Sequence, residues 1–187
     1  MEQMKEELSQ WGAEMANCRL PRWQELPDLE LYMDQVISLV DVYLTPFIKP
    51  EKHNLLTKSM VNNYVKLGLI PAPKKKRYTK NHVAFLIAIT TLKQVLTIPE
   101  IKEGILFQGR VEGISQAYDL FCDETEKAVA HIAAMAQGKV AAPDVAPLPV
   151  RYFAVRTATT SFANKLLAEK AIQLEMAYLS KINKPDD

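Results

Sequence analysis

Residues 57–71 read TKSMVNNYVKLGLIP, the most informative stretch of the chain. Thr57 is a preferred helix N-cap, and Gly68 stands where a helix commonly ends in a left-handed residue. The letters between them therefore predict a short helix over about 57–67. Its inward face is expected to consist of four apolar side chains at helical spacing, Met60, Val61, Tyr64 and Leu67.

The residues that follow predict a loop between this helix and two more. The letters PAPKKKRY at 71–78 are too rich in proline and charge for a helix, so they predict a loop or a short hairpin. Thr79 is the expected cap of a helix over about 80–95. Thr97-Ile-Pro-Glu100 forms a capping box with Pro99 in its first turn, which predicts another helix ending near Phe107.

The outer parts of the chain also carry helical patterns. Asp28 is the expected N-cap of a helix over about 29–45, in which Leu31, Gln35, Leu39 and Val42 recur at helical spacing. Gly109 and Gly113 interrupt the chain before long helices over about 114–137 and 152–182, which a proline-rich linker at 138–150 joins. No stretch shows strand alternation, so the predicted fold class is all-α, mainly helical.

The charge is distributed unevenly. The 187 residues carry a formal net charge of only +1, but residues 49–82 hold nine lysine or arginine residues against one acidic residue, a net of +8. Residues 1–48 carry −6 and residues 83–187 carry −1. A basic block of this kind indicates a surface for a polyanion. A solvated basic loop is the other interpretation that charge alone leaves open.

Three sequence stretches resemble the winged helix-turn-helix of MerR-type transcription regulators. They are Val61-Asn-Asn-Tyr-Val-Lys-Leu-Gly-Leu-Ile-Pro71, Arg77-Tyr78 and Leu96-Thr-Ile-Pro-Glu-Ile101. The resemblance implies that the first is a recognition helix with its terminating turn, that the second closes the wing, and that the third opens a packing helix. Asn62 replaces the arginine usual in that recognition helix, and Lys74-Lys75-Lys76 replaces the usual Gly-Tyr-Arg turn.

A second resemblance covers most of residues 18–140. The stretches Leu20-Pro-Arg-Trp-Gln-Glu-Leu-Pro-Asp28 and Leu31-Tyr-Met-Asp-Gln35 are similar to a family of uncharacterised bacterial proteins, mostly from Gram-positive species, that carry a MerR-like module. Together the resemblances imply a MerR-like winged helix-turn-helix with a small basic wing and long flanking helices. They also imply three regions: an N-terminal helical extension at 1–48, the winged module at 49–110, and a helical dimerisation or effector region at 111–187.

The residue types of the basic block suit DNA. A recognition helix must present donors and acceptors to base edges in the major groove; asparagine pairs bidentately with adenine, and lysine reaches guanine or phosphate. The expected contacts from the helix are Lys58, Ser59, Asn62, Asn63 and Lys66. Those expected from the wing are Lys74, Lys75, Lys76, Arg77 and Tyr78. Tyr64 and Tyr78 have a second interpretation, which is packing inside the module.

The sequence offers no pattern for catalysis. Nucleophile elbows and glycine-rich phosphate loops are missing, and His53, His82 and His131 are scattered without ligand spacing, so neither a cofactor nor a metal is expected. His82, near a helix start, is expected at the surface or beside a phosphate. Cys18 and Cys122 are expected to be buried apolar filler. No run of 18 apolar residues predicts a membrane span, and a cytoplasmic protein is expected.

The leading functional hypothesis is a dimeric DNA-binding transcription regulator whose partner is double-stranded DNA. The alternative is a non-catalytic helical protein-interaction module that retains the fold and binds an acidic partner. The helices after residue 111 are open to three interpretations: dimerisation, a pocket for a small-molecule effector, or core packing.

Overall fold

The computed structural model describes residues 1–49, 55–139 and 147–182. Within these ranges the α-helices are α1 (Glu2–Met15), α2 (Met33–Leu44), α3 (Lys58–Lys66), α4 (Lys80–Leu92), α5 (Ile98–Val111), α6 (Ile114–Ala136) and α7 (Phe153–Ile182). Short 3-10 helices occupy Trp23–Glu25 and Val150–Tyr152. The described ranges hold two isolated β-bridges and no strand. The prediction of a mainly helical, all-α chain is confirmed for these residues.

Helix α4 lies at the centre of the core. Its residues Val83, Leu86, Ile87 and Ile89 are fully buried, and polar Thr90 and Thr91 are buried beside them. A helix with apolar side chains around most of its circumference is stable only when other elements cover it on several sides. Helices α2, α6 and α7 all pack against α4, so the residues on either side of it are held to a common core.

Helices α6 and α7 pack along each other, and α1 lies across both. The sequence left open whether residues 1–17 are ordered; in the structure they form α1, which buries Trp11 and Met15. Gly12 permits the close crossing, because a Cβ there would stand 2.7 Å from the carbonyl oxygen of Ala133 on α6. The hydrophobic cluster thus includes residues from all three of the regions expected from the sequence.

Helix α2 differs from the prediction in its first residue and in its buried face. The helix begins at Met33 with Tyr32 as N-cap, and Asp28 is exposed and caps nothing; the Gln35 side chain accepts the Tyr32 N–H. The physical reason is tertiary, because the backbone of Leu31 pairs with Tyr78 and holds residues before the helix extended. The buried face of α2 is also different from the expected one, consisting of Val36, Val40 and Leu44, while Val42 is exposed.

The capping signals predicted the other helices closely. Thr57 caps α3, Thr97 and Glu100 form the capping box of α5, and α6 and α7 lie within a residue of the expected bounds. Helix α4 is three residues shorter than expected. Helix α5 runs to Val111 instead of ending near Phe107. Of the two glycines expected to interrupt the chain here, Gly109 keeps helical geometry and Gly113 has a positive φ, of 82°. Most of the predicted linker, residues 140–146, lies outside the described residues.

Candidate nucleic-acid interface

Helix α3 presents a polar face to solvent. The hydroxyl of Thr57 accepts the N–H of Met60 at 3.2 Å and fixes the first turn. Val61 and Tyr64 are buried and hold the helix on the core, as expected, but Leu67 is 44% exposed and does not belong to that face. Gly68 follows with a φ of 64°, which turns the chain sharply and lets Leu69 and Ile70 be buried.

The exposed face of α3 consists of the side chains that the sequence assigned to base contact. Ser59, Asn62, Asn63 and Lys66 are all exposed and are spaced by three, one and three residues, which places them on one side of the helix. None of these four side chains has a hydrogen bond or ion pair with another described residue. Their donors and acceptors are therefore free to meet an external partner.

The loop between α3 and α4 turns tightly at its lysines. The N–H of Arg77 donates to the carbonyl of Lys74 at 2.8 Å, and the two residues form an isolated antiparallel bridge. Lys75 and Lys76, between them, have φ values of 48° and 60°. Two central residues with positive φ are the mark of a two-residue type I′ hairpin turn, which favours Asn-Gly. The expected short hairpin is present, in a conformation that lysine adopts only at a cost in free energy.

His82 joins the two ends of this loop. Its Nδ1 accepts the N–H of Thr79 at 2.9 Å, and its Nε2 lies 3.2 Å from the carbonyl oxygen of Pro71, so the neutral ring carries its proton on Nε2. The ring is buried, which corrects the expectation that His82 lies at the surface. Burial lowers the pKa of His82 below its usual value, although the hydrogen bond to the carbonyl of Pro71 opposes that shift.

Tyr78 supports the loop from inside. Its side chain is 2% exposed and lies edge-on to His82, with the ring centroids 5.2 Å apart. Its backbone exchanges two hydrogen bonds of 2.8 Å with Leu31. The packing interpretation is therefore confirmed for Tyr78, and also for Tyr64, which is 4% exposed. A buried ring cannot contact a nucleic acid, so Tyr78 does not belong to the exposed surface to which the sequence assigned it.

Residues 31–34 hold α3 and the loop beside each other. The guanidinium carbon of Arg77 lies 3.5 Å from the centre of the Tyr32 ring, a cation–π contact. Two residues further along, Asp34 forms a 2.7 Å ion pair with Lys58 in the first turn of α3. The α-carbons of Tyr32 and Asp34 can be at most about 7 Å apart. The loop and the start of the helix are thereby brought to one surface of the protein.

Two lysines outside the predicted set hold the ends of α3. The ammonium of Lys102 on α5 donates to the carbonyl of Leu67 at 2.7 Å, where a helix leaves carbonyls without partners. Lys93, the C-cap residue of α4, donates to the carbonyl of Leu55 at 2.6 Å, ahead of α3. Burial lowers the pKa of Lys93, and the nearby Asp41 carboxylate partly offsets this.

The predicted contact residues divide into three groups. Lys58, Ser59, Asn62, Asn63, Lys66, Lys74, Lys75 and Lys76 are exposed, Arg77 is half-buried against Tyr32, and Tyr78 is buried. Lys52 and His53 lie outside the described residues. The prediction missed Tyr32, Asp34 and Lys102, whose roles depend on contacts with residues at least 24 positions away. The Tyr32–Asp34 motif was visible in the sequence, but its contacts were not.

In the part of the chain that the structure describes, no three His, Cys, Asp or Glu residues are grouped so as to hold a metal ion. Cys122 is buried, and burial raises the pKa of its thiol to about 12, as expected of apolar filler. Cys18 is only half-buried. None of the described helices is long and apolar enough to cross a membrane.

Comparison with known families places the surface inside a recognised domain. Residues 21–121 match the family model described as "Domain of unknown function (DUF1836)". The chain belongs to this family. The DUF1836 match includes α2–α5, the basic loop and the start of α6, and it leaves out α1 and α7. No curated protein and no solved structure matches the chain.

Proposed function

We propose that this chain is a cytoplasmic, non-catalytic DNA-binding transcription regulator with a MerR-like winged helix-turn-helix. Helix α3 would enter the major groove, and the loop at 74–77 would follow the phosphate backbone as a wing. The observation that carries the proposal is the single surface on which the unpaired polar face of α3 and the lysine turn lie together, both anchored by residues 31–34.

The side chains of α3 suit base-edge recognition. Asn62 and Asn63 each offer an amide NH2 group as donor and an amide oxygen as acceptor, the pair that adenine requires, and Lys66 reaches guanine or a phosphate one turn later. The N-terminal turn of α3 adds free backbone N–H groups that attract a phosphate. The ion pair between Lys58 and Asp34 is largely exposed and so contributes little, which leaves Lys58 able to exchange this carboxylate for a phosphate.

The conformation of the wing favours a binding role. Lys75 and Lys76 occupy left-handed backbone positions where asparagine and glycine would be more stable, so the charges are kept at a cost of about 1 kcal/mol or more per residue. Backbone strain of this kind is commonly found at functional sites. If four to six phosphates are neutralised, the logarithm of the binding constant should fall with the logarithm of salt concentration at a slope of about −4 to −5.

A homodimer is part of the proposal. Readers of this type bind two half-sites related by a two-fold axis. The end of α7 offers an apolar stripe, because Ile172, Met176, Leu179 and Ile182 are all exposed and recur every three or four residues. We expect a dimer mass by light scattering for the wild-type chain and a monomer mass for Met176→Glu/Leu179→Glu.

The test is fluorescence anisotropy on the duplex upstream of the protein's own gene, beside a scrambled duplex, with a salt titration. We expect a preference for the native duplex that persists at physiological salt and is lost in Asn62→Ala. Asn164→Ala is the matched control, since Asn164 is exposed on α7, away from α3. Equal, steeply salt-dependent binding to both duplexes would contradict sequence-specific regulation by this operator.

The contact between Asp34 and Lys58 favours one alternative. It shows that a carboxylate fits against the basic surface, as the acidic side chains of a protein partner would. A protein-interaction module would bind neither duplex, and an acidic peptide would then bind in a manner that Lys74→Ala, Lys75→Ala and Lys76→Ala together abolish.

A further inference from the structure

A cavity of about 400 Å³ lies between α4, α5, α6 and α7. Its wall is made mostly of apolar side chains, among them Phe85, Leu92, Ile101, Phe121 and Val155. This volume falls within the range of sites that bind small molecules. The cavity is separate from the proposed DNA surface, because it lies among the helices after residue 83 and includes none of the predicted contact residues.

Two glycines keep the cavity wall open. Gly104 and Gly109 lie inside α5 and line the cavity, and a Cβ added at either one would have no neighbouring atom within 4 Å. Neither has a positive φ, so neither is required by backbone geometry or by a close approach. Glycine inside a helix costs about 0.5–1 kcal/mol relative to alanine. What the structure shows in return for that cost is open space, which side chains at positions 104 and 109 would otherwise fill.

A buried amide supplies a polar group at the wall. Gln108 is 7% exposed; its Nε2 donates to the carbonyl of Arg151 at 2.5 Å, while its Oε1 has no hydrogen-bond partner among the described residues. The buried hydroxyl of Tyr118 has none either, although the Cys122 thiol interacts with it. A buried acceptor without a partner is costly, and a bound N–H or O–H donor would relieve that cost.

The charges at the cavity select among ligands. Among the described residues that line it, Glu100 and Glu103 are the only carboxylates, and both are exposed. They oppose the approach of an anion. The lining residues that the structure describes include no lysine or arginine, so they would give a buried anionic group no counter-charge.

We infer that this cavity binds an uncharged, largely apolar small molecule, and that the Gln108 amide turns towards it so that Oε1 accepts one hydrogen bond from the ligand. The site makes use of α4–α7 alone and needs no nucleic acid. The inference can therefore be tested separately from the proposed regulator function.

The test uses N-phenyl-1-naphthylamine, an uncharged aromatic fluorophore with a single N–H donor, and the full-length chain without DNA. We expect saturable fluorescence enhancement with one probe per chain. Two close analogues separate the features of the site. 8-Anilino-1-naphthalenesulfonate adds a sulfonate and should bind at least tenfold more weakly, and 1-phenoxynaphthalene lacks the donor and should compete at least fivefold more weakly.

Two variants locate the binding. Gly104→Leu should abolish it by filling the cavity, and because leucine is the better helix former, the variant should fold with an unchanged or raised Tm. Ala130→Leu, on an exposed part of α6, is the matched control and should bind like wild type. Gln108→Met should bind N-phenyl-1-naphthylamine and 1-phenoxynaphthalene equally well. Simple loss of packing would weaken both ligands alike and would not remove the preference for the amine.

Several results would overturn the inference. These are the absence of saturable binding, equal affinity for the sulfonate, or full binding by Gly104→Leu. A probe signal that falls as protein concentration rises into the dimer range would also overturn it, since a second copy of the chain would then occupy this face.

Discussion

The basic side chains around α6 differ from those around α3 in what they contact. Arg22 donates to both carboxylate oxygens of Glu126 at 2.7 Å and to Asp123 at 2.8 Å. On the other side of α6, Arg156 donates to the buried Glu124 at 2.7 Å. By contrast, Lys66 and the lysines at 74–76 have no acidic partner among the described residues.

The comparison shows that the arginines around α6 have a structural role, whereas Lys66 and the lysines at 74–76 are available to bind an external partner. Burial alone would raise the pKa of Glu124 and of Glu126, but hydrogen bonds and charges from Arg156, Lys127 and Arg22 lower both overall. Glu124 links α6 to α7, and Glu126 links α6 to the segment at residues 20–23. Lys66, Lys74, Lys75 and Lys76 form no ion pair with another described residue, and this makes them candidates for contact with a partner.

The largest effect is expected at the paired charges. Glu124→Ala removes the buried carboxylate to which both Arg156 and Lys127 donate, so we expect the free energy of unfolding to fall by about 3 kcal/mol. Chemical denaturation measures this. Glu175→Ala, an exposed change on α7, is the control and should stay within about 0.5 kcal/mol of wild type. An equal loss in both variants would contradict a special role for the buried pair.

The next effect is expected at the unpaired charges. Replacing Lys74, Lys75 and Lys76 together by alanine should leave the Tm nearly unchanged and make the salt slope of DNA binding less negative by about 2 to 3. At physiological salt the affinity should fall on the order of 100-fold for every duplex. Alanine at Lys5, Lys139 and Lys181, all exposed, matches the change in net charge and should have little effect. Similar losses from both triple variants would show that only net charge matters.

A third change should move stability and binding in opposite directions. Lys75→Asn/Lys76→Gly places the preferred residues in the type I′ turn, so we expect the free energy of unfolding to rise by about 1 kcal/mol. The loss of two charges should weaken DNA binding roughly 30-fold. Thermal unfolding measures the change in stability, and fluorescence anisotropy on the same sample measures the change in DNA affinity. Unchanged binding by a more stable protein would mean that the lysine turn serves no nucleic acid.

The smallest effect is expected from pH at His82. Because its folded-state pKa is lowered, its contribution is complete above about pH 6.5 and is lost as the pH falls towards the folded-state value, since the unfolded chain takes up the proton first. We expect a loss below about 1 kcal/mol, comparable to the hydrogen bond from Thr79. Comparing the unfolding free energies of wild type and His82→Gln from pH 7.5 to 5.5 should show this slope only in wild type.

Predictions from the sequence succeeded where the relevant forces are local. Thr57, Thr97 and Gly68 act within a few residues, so the bounds of α3 and the start of α5 could be predicted from residue type and spacing. The prediction of the start of α2 was wrong, because the backbone of Leu31 bonds to Tyr78, 47 residues away. The burial of His82 depends in the same way on the loop closing around it.

Local sequence patterns were sufficient to predict the mainly helical class, the short polar helix and the concentration of lysines, because capping, periodicity and charge are carried by neighbouring residues. Which of these residues share a surface depends on the tertiary contacts. Residues 31–34 bring α3 and the lysine turn together, α1 lies on α6 and α7, and a cavity opens beside Gly104 and Gln108. Each of these depends on contacts between distant parts of the chain, whose free energy no local pattern records.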